Sequence, residues 1–236
     1  MATNVKTQMD VGWVDEVETR QVCGFERVLV VVPNMENELT IRQGDSESLV
    51  IQACTCLLPR IKTEVRDGEL RIKIAGSWTE LLKDALTTSL TRERIRYTLT
   101  VKQLTALEVD GIVHIEAERL ETQRLALRVR GLGQVDIHSL AAQSLSVDVI
   151  GACQVNLGGS VGEQQVTISA MGAYHAAGLE SRKASVRLNG PSQATVWATD
   201  DLEVTISGPG SVAYYGAPRL RQNVMPMGRV ISLGQA

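Results

Sequence analysis

Six segments of this chain repeat one another at a step of about 20 residues, which constrains the fold more than anything else in its 236 residues. They start at Leu107 (LEVDGIVHI), Leu127 (LRVRGLGQV), Val147 (VDVIGACQV), Val166 (VTISAMGAY), Val186 (VRLNGPSQA) and Val204 (VTISGPGSV). In each, apolar residues alternate on both sides of a kink. The kink is filled by Gly111, Gly131, Gly151, Ala170, Gly190 and Gly208, at steps of 20, 20, 19, 20 and 18 residues. A period of two belongs to strands, not helices. A repeat this short, made of strands and turns, predicts one rung of a β-solenoid. A degenerate last rung holds Val224, Pro226 in the kink slot, Gly228 and Val230.

Rungs stacked in register place equivalent residues about 4.8 Å apart, so the repeat predicts columns. Four are apolar and are expected to form the core, beginning at Leu107, Val109, Ile115 and Ala117. A column of Glu108, Arg128, Asp148, Thr167, Arg187 and Thr205 is expected to face solvent, with opposite charges adjacent. Asp110 and Arg130 are expected to pair in the same way. The kinks call for tight, often left-handed backbone, which suits glycine and leaves Ala170 and Pro226 less comfortable. Only 3% of the chain is aromatic, as a narrow aliphatic interior requires.

Upstream, residues 1–20 lack a pattern and read as a tail or an edge strand, leaving residues 21–236 as one domain. Strands are expected from Phe25 to Ile41 with Met35 in a kink, from Leu49 to Cys54, and in a hairpin turning at Asp67-Gly68. Residues 77–90 break the alternation. Trp78, Leu81, Leu82, Ala85, Leu86 and Leu90 follow helical spacing, and Ser77 with Glu80 forms a capping box. This short helix is expected to plug an open end of the stack.

Net charge is -3 with acids and bases interspersed, which argues against a nucleic-acid partner. No apolar run approaches the roughly 18 residues of a membrane span. The start of the chain lacks a basic segment followed by an apolar one, so as it stands it reads as cytoplasmic unless a leader was removed and a Met added. Cys23, Cys54, Cys56 and Cys153 show no disulfide framework. Cys54 and Cys56 would share one face of an extended strand, too close for easy bridging. A metal there would need four ligands, and no second pair is visible. The cysteine usage favours a reducing compartment.

No catalytic constellation emerges. There is no G-x-S-x-G elbow and no P-loop, His114, His138 and His175 fall in different columns, and no cofactor is implied. Glu116, Asp136 and Asn156 should stack outward on successive rungs with His175 next. A divalent cation is one way to relieve repulsion between the two acids, and plain solvation is the other. Trp197 and Tyr215 should stand side by side beside Ala177 and Gly158, with Glu203 and Arg219 as polar rim. Exposed aromatics suit a sugar ring or a partner side chain; packing under residues 219–236 is the alternative.

Several segments carry a family resemblance: IRQGD from Ile41, LLPRIKTEVRDGEL from Leu57, IRYTLTV from Ile95 and VTISGPGSVAYYGAP from Val204. Together they resemble the bacterial GIN-domain family, described as autotransporter adhesin head domains, over about residues 22–234. The family's usual Ser-Gly-Ser-Gly kink is replaced here by varied residues around the glycine. The resemblance implies a right-handed β-helix-like fold and a cell-envelope role after removal of a leader, and no catalytic residues. The expected function is a non-enzymatic adhesion or binding module for a glycan or a cell-surface protein. An alternative is a self-assembling scaffold, a homo-oligomer formed by rungs stacking end to end. A polysaccharide-cleaving enzyme is a third reading, which lacks the necessary carboxylate cluster.

Overall fold

Alternating apolar residues do form strands here, and the repeat length fixes how they pair. The structure is a computed structural model that describes residues 15–32, 36–75 and 94–235. Those residues form a mixed 13-stranded sheet with no α-helix among them; Leu58–Arg60 is a 3-10 turn. The helix expected over 77–90 and the kink at Met35 lie outside the described residues.

From residue 106 onward the pairing is parallel. β8 (Ala106–Ile168) carries the first three repeats with their corners and leads into the fourth. β9 (Gly172–Leu188), β10 (Ser192–Ile206) and β11 (Gly210–Tyr215) carry the rest, followed by β12 (Arg219–Val224) and β13 (Arg229–Ser232). β8 pairs with β9, β9 with β10, β10 with both β11 and β12, and β11 with β13. Val166 lies opposite Val186 and Val186 opposite Val204. Val155, Tyr174, Ala194 and Val212 follow one another in the same way.

The first third departs from this pattern. β2 (Arg27–Val31) and β3 (Asn37–Gln43) pair in parallel with β8. β4 (Ser48–Cys54) instead runs antiparallel to both β1 (Asp15–Arg20) and β7 (Ile95–Val101). β5 (Ile61–Arg66) and β6 (Glu69–Ile74) form an antiparallel hairpin. Its turn puts Asp67 at φ 52° and Gly68 at φ 72°, the left-handed pair a two-residue hairpin needs.

The four apolar columns are buried along their whole length, except at Tyr214, which is half-buried against the core. Each buried aliphatic side chain contributes about 1.5–3 kcal/mol. A further inward column, Leu125, Leu145, Gln164, Ala184 and Leu202, lies beyond the nine-residue segments that define the repeat. The charge column pairs as expected: the Arg128 guanidinium lies 3.4 Å from both Glu108 and Asp148. Arg130, however, turns to Glu108 at 2.7 Å rather than to Asp110, so that Arg128 and Arg130 share one carboxylate.

The kink slot is one position in the sequence but two conformations in the structure. Gly111, Gly131 and Gly151 have φ of 136°, 125° and 134°, and each would drive a methyl group into the carbonyl of the repeat before it. Gly190 and Gly208 have no positive φ, and neither does Ala170. Ala170 is therefore unstrained, which corrects the expectation that it sits uneasily. Cys54 and Cys56 also differ from expectation: they form a disulfide, with Cα atoms 5.3 Å apart. The chain leaves the extended conformation at Cys54 and enters a turn, so the two side chains converge instead of pointing along a strand.

Candidate binding surface

Trp197 and Tyr215 are register partners on β10 and β11, and both are half-buried. Gly216, at φ 96°, turns the chain beside the Trp197 ring. On its other side Trp197 faces Glu180, not Ala177, and Gly158 pairs with Gly178. The strip of small residues expected beside the aromatics is thus not in that register. Val196 pairs with Ala176, 20 positions back, whereas Ile206 pairs with Leu188, 18 back, and this shortening is absorbed at the Trp197 corner.

A buried polar chain supports that corner. The Tyr174 hydroxyl donates to Gln164 Oε1 at 2.8 Å, Gln164 Nε2 donates to Ser181 Oγ at 2.8 Å, and Ser181 Oγ donates to the Trp197 carbonyl at 2.7 Å. All three side chains are buried, so the chain satisfies polar atoms that would otherwise cost about 1–3 kcal/mol each. Burial alone pushes the Tyr174 hydroxyl well above the usual range for tyrosine. Gln164, a polar residue in an otherwise aliphatic column, has its explanation here.

Glu203 and Arg219 lie elsewhere. They line a cavity of about 600 Å³ whose walls include neither Trp197 nor Tyr215. Arg219 is held by Asp201 at 2.9 Å. The four residues expected to form one site are therefore placed as two pairs.

That cavity is one end of a longer trough. Four concavities among the described residues share walls in series. Glu26, Lys102 and Thr105 join the first two, Gln123 and Gln143 the next, and Arg124, Ser144 and Lys183 the last. Along the third and fourth, one charged column is explicit in the register, with Glu163 opposite Lys183, Lys183 opposite Asp201 and Asp201 opposite Arg219. Sequence reasoning missed this column because it begins three residues before the recognisable part of each repeat. Extending the segments backward would have exposed Arg124, Ser144, Glu163, Lys183, Asp201 and Arg219 at one position.

Asp136 and Asn156 are brought into contact, and Glu116 lies beside His138 instead. Asp136 accepts from Asn156 Nδ2 at 2.6 Å and from Gln134 Nε2 at 2.9 and 3.1 Å, and lies 3.6 Å from His114. Glu116 lies 3.8 Å from His138. Amide donors thus occupy the Asp136 carboxylate, with the His114 ring nearby. Among the described residues, no three His, Cys, Asp or Glu side chains are grouped to hold a metal ion. Cys153 is buried under the same repeats. Its thiol is pushed up to about 12 by burial first and by Asp136 second, so it stays protonated near neutrality.

The family model described as "Putative auto-transporter adhesin, head GIN domain" matches residues 30–218. No curated protein matches the chain. Among solved structures, a putative adhesin from Bacteroides fragilis aligns with TM-score 0.73 at 21% identity, covering 94% of this chain and 95% of that one. A putative adhesin from Parabacteroides distasonis aligns at 0.66 and 20%, covering 94% and 98%. One from Parabacteroides merdae aligns at 0.62 and 17%, covering 93% and 96%. At these identities the likeness speaks for the fold alone.

Proposed function

The chain belongs to this adhesin-head GIN-domain family, and from that premise we propose that it is a non-enzymatic binding module of the cell envelope, wound as a right-handed β-solenoid. Parallel repeats stepping by 18 to 20 residues support the solenoid. The observation that carries the binding role is the half-buried Trp197–Tyr215 pair, held at a corner braced by the Tyr174–Gln164–Ser181 chain. Two rigid aromatic faces offer large contact area at low entropic cost to a glycan or a cell-surface protein. Glu203 and Arg219 act on this reading as a separate polar contact. The Cys54–Cys56 disulfide supports placement outside the reducing cytoplasm.

The test is binding of the Trp197→Ala/Tyr215→Ala variant to a glycan array and to intact bacterial cells. Loss of binding with unchanged melting is the expected result. Unchanged binding rejects the aromatic contact, and a wild-type chain that binds neither array nor cells rejects the adhesion reading itself.

One feature favours a second reading, the self-assembling scaffold. Among the described residues β12 and β13 each pair with a single neighbour, and Met225, Met227, Ile231 and Leu233 are exposed around them. An open parallel edge with apolar side chains is a template for another chain. Salt-stable filaments in electron micrographs would favour it, and a monomer at high concentration would remove it.

A further inference from the structure

We propose that the trough binds an acidic polysaccharide, with Arg124, Arg182 and Lys183 as its anion-binding group. This rests on the reading of the chain as a binding module and assigns that module a second site, apart from the aromatic corner.

The third concavity, of about 750 Å³, carries the argument. Its charged walls are Arg124, Arg182, Lys183 and Glu163, three cations against one carboxylate. No ion pair or side-chain hydrogen bond engages any of these three cations among the described residues, although Glu163 is the ladder neighbour of Lys183. Elsewhere among the described residues Arg94, Arg96, Arg128 and Arg219 are ion-paired, while the unpaired Arg42, Arg187, Arg221 and Arg229 stand apart from this hollow; what sets it off is three unpaired cations in one concavity. Unpaired cations in one hollow, on a chain of net charge -3, make a local field that attracts an anion without making the whole surface basic. Gly162 shapes the hollow: a β-carbon there would lie 2.6 Å from the Gln143 carbonyl and 3.6 Å from Arg182 Nη2. The guanidinium therefore reaches over a floor kept bare of side chain.

The remaining groups choose among anions. Thr105, Gln123, Gln143 and Ser144 supply neutral donors and acceptors, and Glu163 accepts from a hydroxyl. Sugar hydroxyls need both kinds of partner. A nucleic acid presents phosphate at every step and stacks its bases on aromatic rings. Here Glu163, Asp201 and Glu203 would oppose such regular negative charge, and no aromatic side chain lines the third or fourth concavity. Because the hollows continue along the stack, the fitting ligand is linear, with anions spaced rather than continuous.

The experiment is calorimetric titration of the full chain with polygalacturonate fragments, dextran sulfate and neutral dextran at low and high salt. The two charged probes separate carboxylate from sulfate as the source of the anion. The expected result is binding of at least one charged polymer that tightens with its length and weakens with salt, and none of neutral dextran. Replacing all three cations, Arg124→Ser/Arg182→Ser/Lys183→Ser, should weaken it by roughly tenfold or more, since charge-assisted hydrogen bonds are lost. All three residues are exposed, so the fold is kept, and unchanged melting checks this. Trp197→Ala/Tyr215→Ala should leave this binding intact. Equal binding of neutral dextran, absence of binding to either charged polymer, or a triple variant that binds like the wild type overturns the proposal. If any of these outcomes overturns the proposal while the wild-type chain still binds glycan arrays or cells, the adhesion reading survives and the trough site alone falls.

Discussion

Replacing Gly131 by alanine tests how the corners are built. Gly131 sits at φ 125°, a conformation closed to other residues, and costs of order 1–3 kcal/mol apply to side chains forced there. The new methyl also points at the Gly111 carbonyl, which belongs to the neighbouring repeat's backbone and cannot rotate away. Prying two paired strands apart adds roughly 1–3 kcal/mol, as in an overpacked core. The sum is about 2–6 kcal/mol, or roughly 5–20 °C in melting temperature for a chain of this size. Gly208→Ala is the control. It has no positive φ, and its methyl would be 3.4 Å from the nearest atoms, so the change should stay within about 1 kcal/mol. Urea and thermal denaturation followed by circular dichroism measure both. Equal effects of the two substitutions, or a Gly131→Ala loss below about 1 kcal/mol, would refute the division of the kinks into two conformations.

Arg128→Glu removes two contacts at 3.4 Å and stacks three acids, with Arg130 left as partial compensation. A loss of roughly 1–2 kcal/mol is expected, larger at low salt, and one that does not change with salt would speak against the charge ladder. Reducing Cys54–Cys56 opens a very short loop, so about 1–2 kcal/mol should be lost in denaturation with and without reductant; a larger drop would mean the bridge orders more than its own turn. Cys153, Tyr97 and Tyr174 all lose protons less readily when folded, chiefly through burial. The folded chain then holds more protons than the unfolded one at alkaline pH. Their contribution is complete below the ordinary thiol range and fades from about pH 9 upward, through about 12 for Cys153. Stability that stays flat from pH 8 to 11 would contradict that burial.

The legible part of this fold was the part that repeats. Alternation around the kinks located the four core columns residue by residue, and the outward charges located the Glu108–Arg128–Asp148 ladder. Both are properties of identical positions stacked in register, so each repeat confirms the last. The Cys54–Cys56 bridge was not legible because it depends on where β4 ends, and strand ends have no period. The register slip at Trp197 was hidden for a related reason. Kink-to-kink distances show that the 190-to-208 step is short but not which corner absorbs the missing residues.

The aromatic pair and the trough differ in the kind of information that specifies them. Trp197 and Tyr215 are exceptions to their column, visible because large rings stand where other repeats have small or polar residues. The trough is a column in its own right: Glu163, Lys183, Asp201 and Arg219 alternate in charge at one repeat position, one residue before the buried Leu145–Gln164–Ala184–Leu202 line. A charge column can serve register, as Arg128 does, or a ligand. The two uses separate by pairing. Arg128 is engaged by both neighbours, whereas Lys183 stands between Glu163 and Asp201 without an ion pair to either among the described residues. Register needs neighbouring charges to meet; a binding surface needs them left open to solvent. By that criterion the outward face at Arg128 stabilises the stack, as the Asp201–Arg219 pair does at the far end of the trough, whereas the charges around Lys183 are left open to solvent.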